Sequence, residues 1–127
     1  MGDEPARPPA KGYRDLLVWQ KGMLLARAIY KLTQTFPSEE KFGLISQMRR
    51  AAVSIPSTIA EGQARKSTGE FVQFISNAEG SLAELDTQLQ LSADLGFSKD
   101  PDLRRILESI SELKRMLNGL RRTLMKQ

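Results

Sequence analysis

The sequence predicts an all-α protein, an antiparallel up-down-up-down four-helix bundle, and three observations carry this prediction. Four segments of about 20 residues place apolar residues three and four positions apart, the spacing of a helix that buries one face. No segment alternates apolar and polar residues, so no strand is expected. The connections are short, which brings consecutive helices together as antiparallel neighbours.

The length of 127 residues is enough for one domain with its own core. Residues 1–12 contain three prolines and no apolar periodicity, so we expect a disordered N-terminal tail. Residues 13–127 then form the bundle domain.

The first helix is expected to run from Asp15, a good N-cap residue, to about Thr35. Gly22 interrupts the pattern at a cost of about 1 kcal/mol relative to alanine, so either a neighbour approaches closely there or the glycine is tolerated. The predicted inward stripe consists of Leu16, Trp19, Met23, Ala26 and Tyr30, widened by Leu17, Leu24, Ala28 and Leu32.

The second helix should begin at Ser38 and end near Arg65, with a bend at Pro56, which removes one backbone hydrogen bond. Apolar residues occupy most of its circumference, whereas a bundle buries one stripe per helix. The excess predicts self-association, and the residues assigned to the oligomer interface are Ile55, Pro56 and Ile59.

The third helix is expected to start at Ser67, which has capping-box spacing to Glu70, and to end before Gly96 as the C′ residue. Gly80 in its middle again indicates close approach or tolerance. The predicted inward stripe consists of Phe71, Phe74, Ile75, Ala78, Leu82, Leu85, Leu89 and Ser92.

The fourth helix should open at Asp100, Pro101 and Asp102, as N-cap, N1 and N2. Its heptad of apolar residues consists of Leu103, Ile106, Ile110, Leu113, Leu117, Leu120 and Leu124. Basic residues flank this heptad, and the nucleic-acid-binding candidates are Arg104, Arg105, Lys114, Arg115, Arg121 and Arg122.

Charge is distributed unevenly along the chain, whose formal net charge is +4. Residues 70–102 carry seven acids and one base, and residues 104–127 carry seven bases and two acids. This asymmetry fits a polyanion partner, RNA or DNA, but it fits slightly better a seam where one helix's charges face its neighbour's. The basic flank of the fourth helix is in turn either a track for phosphates or a solubilising surface.

Polar residues form a row on the second helix and another on the third. One interpretation is a partly buried network that fixes helix register; the other is a solvated face, which the spacing alone favours. The network candidates are Arg49, Arg50, Glu61, Glu70, Glu84 and Gln88.

Several function classes are disfavoured by composition. Histidine and cysteine are absent, which removes the common catalytic bases, nucleophiles and zinc ligands, and no phosphate-binding glycine motif occurs. We therefore expect no enzymatic activity, no cofactor and no metal. The absence of a long apolar run, a signal peptide and cysteine makes the cytoplasm the expected compartment, with no membrane partner.

Three runs of sequence carry a resemblance to a known family. They are DLLVWQKG (Asp15–Gly22), FPSEEKFGLISQMRRAAVSIPSTIAEGQAR (Phe36–Arg65) and EFVQFISNAEGSLAELDTQLQLSADLGF (Glu70–Phe97). Together they resemble the bacterial four-helix-bundle proteins that are encoded within intervening sequences of 23S ribosomal RNA genes.

The resemblance implies a subunit that assembles into a ring, with a homopentamer expected. It also implies kinship with the accessory variability proteins of diversity-generating retroelements, which bind nucleic acid and a reverse transcriptase. Thr58 stands where the family usually has asparagine, and Phe97 where it has tyrosine. The family's polar positions correspond to Gln47, Arg49, Arg50, Ser54, Glu61, Glu70, Ser81, Glu84 and Gln88, which shifts the expectation towards a structural network.

Two functions follow as hypotheses. The first is a non-enzymatic oligomeric protein that binds nucleic acid weakly through a basic surface. The alternative is a structural or adaptor protein that binds another protein and has no nucleic-acid role.

Overall fold

The computed structural model describes residues 12–126 and consists of four α-helices. These are α1 (Leu17–Thr33), α2 (Leu44–Gln63), α3 (Thr68–Asp94) and α4 (Asp102–Met125), and no strand occurs among the described residues. The all-α prediction is confirmed. The expected disordered tail lies outside the described residues, apart from Gly12. None of the helices described is long and apolar enough to cross a membrane.

The four helices form an up-down-up-down bundle in which α1 and α3 each pack against α2 and α4. Near the start of α1, Gly22 approaches Pro56 late in α2, whereas Thr33 at the end of α1 bonds Arg49 early in α2. Contacts that run in opposite directions along the two helices show that α1 and α2 are antiparallel, as predicted.

The core confirms the stripes expected for α3 and α4. In α3 the residues from Ile75 to Ser92 that were assigned inward are buried, and in α4 the central part of the heptad is buried. The outer members of the heptad pack against the core while remaining partly exposed. In both helices, one clear apolar series at helical spacing was enough to identify the buried face.

The stripe assigned to α1 is wrong in phase, although two of its members, Ala26 and Leu32, are buried as predicted. The buried series is Val18, Gly22, Leu25 and Ile29, whereas Tyr30 is exposed. The predicted series, starting at Trp19, has the same spacing displaced by one residue, which corresponds to a rotation of about 100°. Two equivalent apolar series therefore exist on this helix, and only packing against α2 and α4 selects between them.

The residues assigned to an oligomer interface on α2 are also corrected. Ile55 and Ile59 are fully buried within the subunit, and Pro56 is buried too, although it borders an open groove. The wide apolar arc is covered from two sides by α1 and α3. These residues are therefore buried within one subunit, and their apolar surface gives no reason to expect a second copy. The helix continues through Pro56, and its bend stays a prediction.

Helix termini agree with the sequence only at α3. Ser67 caps α3 by accepting a hydrogen bond from the Glu70 amide at 3.1 Å. At the other end, Gly96 has φ +79°. The Phe97 and Gly96 amides donate to the carbonyls of Ser92 and Ala93, which is a complete Schellman motif.

The other three helices begin later than expected. Asp15 lies in a short 3-10 turn and does not cap α1, whose N-cap is Leu16. Ser38 likewise starts a 3-10 turn, and α2 begins only at Leu44, whose amide donates to Glu40 Oε1 at 3.1 Å. At α4 the helix starts at Asp102, and no side chain caps it. Each of the three predicted cap residues is present in the sequence, but it lies in a turn that precedes the first residue of the helix.

Candidate interaction surfaces

The basic residues of α4 do not form one patch. Arg104, Arg115 and Arg122 are exposed and lie eleven and seven residues apart, so they align along the outward side of the helix. Lys114 is exposed and lies seven residues before Arg121, which places those two on the side nearer α3. The single basic flank expected from the sequence is therefore divided, because the two groups differ by about 80–120° in direction.

One of the six candidates is bonded to another helix, and a second points away from the outward line. Arg121 donates to Ser76 Oγ at 2.9 Å and forms an ion pair with Glu79, so it ties α4 to α3. Arg105 faces α1 and borders a cleft beside Lys31. Arg104 keeps only a long i,i+4 contact with Asp100, at 3.9 Å. Only the outward line of three arginines remains as a continuous basic feature.

Acidic residues lie beside this line and limit its potential. Glu108 and Glu112 share a shallow groove with Arg104 and Arg115. Glu112 also forms an ion pair with Lys21 of α1, with 2.7 Å between Lys21 Nζ and Glu112 Oε1. The hydrogen bond and the charge of Lys21 hold the pKa of Glu112 below its ordinary value, with a smaller contribution from Arg115. Glu112 is therefore ionised at neutral pH, and the outward side of α4 is only moderately positive.

Arg49 belongs to a contact that sequence reasoning missed. Its Nε donates to Thr33 Oγ1 at 2.9 Å, Nη2 donates to the Tyr30 carbonyl at 3.2 Å, and the guanidinium lies 4.5 Å from the centre of the Tyr30 ring. Thr33 is buried and also donates to the Ile29 carbonyl at 2.8 Å. The partner of Arg49 is thus α1 and not the acidic row of α3. The predicted stripe of α1 left out Ile29 and Thr33, so no signal in the sequence identified this contact.

The remaining network candidates do not join α2 to α3. Glu70 bonds Ser67 within the cap of α3, and Arg50, Glu61 and Glu84 are exposed. Within residues 12–126, no hydrogen bond or ion pair links Arg49 or Arg50 to Glu70 or Glu84. In the isolated subunit this row is a solvated face.

Gln88 is the exception among these candidates, because it is buried. Its Oε1 atom has no hydrogen-bond partner among the described residues.

An apolar groove runs between α1 and α2. Its floor includes Met23, Ala26, Tyr30, Val53 and Pro56. Tyr30 and Val53 remain 43% and 42% exposed, which is high for large apolar side chains on adjacent helices. Bases border the groove and its continuation along α2, and no acid does; they are Arg27, Lys31, Arg49 and Arg50.

This groove is lined by some of the α1 residues that the sequence analysis assigned to the core of the bundle. Met23 and Tyr30 belong to the displaced stripe of α1, so the surface was visible in the sequence but assigned to the wrong side. Elsewhere in the described part of the chain, no cluster of three or more acidic residues could hold a metal ion.

Comparison with known proteins gives one finding. The family model described as 23S rRNA-intervening sequence protein matches residues 14–119, from the turn before α1 to near the end of α4. A search of curated proteins finds no match.

Proposed function

The chain belongs to the family of 23S rRNA-intervening sequence proteins, and from this premise we propose that it is a non-enzymatic protein that assembles with copies of itself and binds nucleic acid weakly through α4. The observation that carries the nucleic-acid part is the outward line of Arg104, Arg115 and Arg122. All three are exposed, and none is held by an acid on another helix. A basic line of this kind binds phosphates without reading base sequence.

The geometry suits an extended polyanion. At 1.5 Å per residue, the three arginines stand about 16 Å and about 10 Å apart along the helix axis, so each meets a different phosphate. Helix α4 contains no aromatic residue, and none lines the groove that holds Arg104 and Arg115, so base stacking adds little and the affinity of one subunit stays low. Several copies in one assembly raise the effective affinity by multivalency.

Self-assembly is supported by the groove between α1 and α2. Tyr30 and Val53, which are exposed, form with Pro56 an apolar surface whose contact with water is unfavourable. Covering it with another copy removes that surface from water. A pentamer is the number that the sequence resemblance implies.

A salt titration tests the nucleic-acid proposal. Fluorescent RNA and DNA duplexes are titrated with protein at 50 mM and 200 mM salt. Three phosphate contacts predict that log K falls with log salt with a slope of about −3 per subunit. The triple variant Arg104→Glu, Arg115→Glu, Arg122→Glu should abolish binding.

The matched control reverses three exposed lysines elsewhere, Lys41→Glu, Lys66→Glu and Lys99→Glu, and should retain most of the affinity because it leaves the α4 line intact. Absence of binding at 50 mM salt, or equal loss in both triple variants, overturns the proposal.

A second candidate function is an adaptor for another protein, such as a reverse transcriptase. The same apolar groove favours it, because an exposed tyrosine in an apolar cleft is a typical protein-binding feature. A purified candidate partner that binds equally well after nuclease treatment, but not to the Tyr30→Asp variant, would support the adaptor function over the nucleic-acid one.

A further inference from the structure

The helices carry strongly segregated charge. Helix α1 has three bases, Lys21, Arg27 and Lys31, and no acid. Helix α3 has five acids and no base; the acids are Glu70, Glu79, Glu84, Asp86 and Asp94. Among the described residues, Glu79 alone of these acids forms an ion pair with another helix, through Arg121. Most of these charged side chains therefore form no ion pair with another helix in the described part of the subunit.

The outward side of α3 carries a second stripe. Glu84, Leu91 and Leu95 follow one another at spacings of seven and four residues, so they share an exposed face. Leu91 and Leu95 are 48% and 52% exposed, and Asp94 is exposed beside them. This face combines acids with two leucines that the described part of the subunit leaves about half exposed.

The groove between α1 and α2 has the opposite character. Its floor is apolar around Tyr30 and Val53, and its border carries bases at Arg27, Lys31 and Arg50, with no acid. The acidic, leucine-bearing face of α3 therefore complements the groove in charge and matches its apolar floor. Charge complementarity of this kind selects both the partner and its orientation.

We propose that the outward face of α3 in one copy docks into the α1/α2 groove of the next copy. This inference rests on the proposed self-assembly and specifies its contact. The docking removes Leu91, Leu95, Tyr30 and Val53 from water together. It also places Glu84 and Asp94 among the bases that border the groove.

The proposed contact joins two different patches, the groove and the outward face of α3, so it can repeat head-to-tail from copy to copy. A symmetric groove-to-groove pair sets the bases of one copy against the same bases of the other, and an α3-to-α3 pair does the same with acids. Like charges oppose both arrangements. A head-to-tail contact repeats from copy to copy, and it closes into a ring when its rotation permits.

Charge reversal tests the contact by sedimentation velocity at micromolar protein. The groove variant Arg27→Glu, Lys31→Glu and the helix variant Glu84→Lys, Asp94→Lys should each sediment as monomers. The combined variant, with all four changes, should regain the wild-type mass because the charges are exchanged and again complementary. The control Arg104→Glu, Arg122→Glu changes the same number of charges on α4 and should keep the wild-type mass.

A covalent test remains readable if a charge variant folds poorly. The chain has no cysteine, so Val53→Cys with Leu91→Cys introduces the only thiols. Under oxidation this variant should give a ladder of linked chains on a denaturing gel, whereas Val53→Cys alone should remain monomeric. A symmetric groove-to-groove contact links the single variant instead and overturns the proposal.

The outcomes separate the two claims. A wild-type protein that is monomeric at micromolar concentration overturns the self-assembly and this contact together. A wild-type oligomer whose mass is unchanged in both folded charge variants, or one that yields no cysteine ladder, overturns the contact and leaves self-assembly intact. Failure of the combined variant to reassemble, when each parent variant has dissociated, also overturns the charge pairing.

Discussion

At the scale of single residues, the buried polar side chains described in this bundle are hydrogen-bonded, with one exception. Thr33 donates to a carbonyl one turn earlier in α1 and accepts from Arg49, and Ser92 bonds Ser98 across the end of α3. Each such bond offsets the cost of removing a polar group from water. Gln88 differs, because its Oε1 has no partner within residues 12–126.

Replacing Gln88 with leucine should therefore stabilise the protein. A buried carbonyl without a partner costs about 1–3 kcal/mol, and leucine has a similar volume, so Gln88→Leu should raise the free energy of unfolding by about 1 kcal/mol. Urea denaturation measures the change. Gln90→Leu, on the exposed side of the same helix, is the control and should have little effect; a loss of stability in Gln88→Leu contradicts this account.

The ion pair between Lys21 and Glu112 should make stability depend on pH. Lys21 lowers the pKa of Glu112 in the folded protein, so the pair stabilises the fold above the ordinary glutamate pKa of about 4.3. That contribution is lost as the pH falls through the lowered pKa. Wild type should therefore exceed Glu112→Gln in stability at pH 7, and the difference should vanish in acid.

Denaturation curves recorded from pH 7 to pH 3 test this dependence. Glu108→Gln, one turn earlier on α4, is the control because Glu108 is exposed and lacks an ion-pair partner among the described residues. A difference between wild type and Glu112→Gln that persists unchanged at pH 3 would rule out the pair as its source.

At the scale of elements, glycine sets how closely α2 and α3 approach. A Cβ atom added to Gly62 would lie 2.6 Å from Phe74 Cβ and 3.0 Å from Phe71 Cδ1. Because Phe74 Cβ is fixed to the backbone, α3 itself would have to move. Gly80 on α3 has nothing within 4 Å of such an atom. The sequence showed two mid-helix glycines that fit close approach or tolerance. In the structure a Cβ atom added to Gly22 would make ordinary contacts, at 3.5 Å, with Ile55 and Pro56, and one added to Gly80 would meet open space, so both positions tolerate glycine without requiring it.

The two glycines Gly62 and Gly80 should respond to alanine with opposite signs. Gly62→Ala forces the helices apart and should lower the free energy of unfolding by about 1–2 kcal/mol, even after the gain in helix propensity. Gly80→Ala meets no neighbour and should raise it by up to about 1 kcal/mol. Thermal or urea denaturation measures both; equal effects would show that helix propensity alone decides.

At the scale of the whole molecule, the exposed groove links stability to assembly. If copies associate through it, folding and association share one equilibrium, so the midpoint of thermal unfolding, Tm, rises with protein concentration. Calorimetry from about 1 to about 100 μM should show this rise for the wild type. In Val53→Asp the charge enters the apolar floor, so Tm should become independent of concentration. A constant Tm in the wild type argues against assembly in this range.

The family, the all-α class and the buried faces of α3 and α4 follow from the sequence alone, because each of these two helices has one apolar series and α3 has complete capping signals at Ser67 and Gly96. The buried side of α1, the role of Ile55 and Ile59 and the partner of Arg49 are decided by the tertiary structure. Helical periodicity specifies which residues share a face, but where several faces are apolar, the rotation of each helix against its neighbours selects the one that is buried.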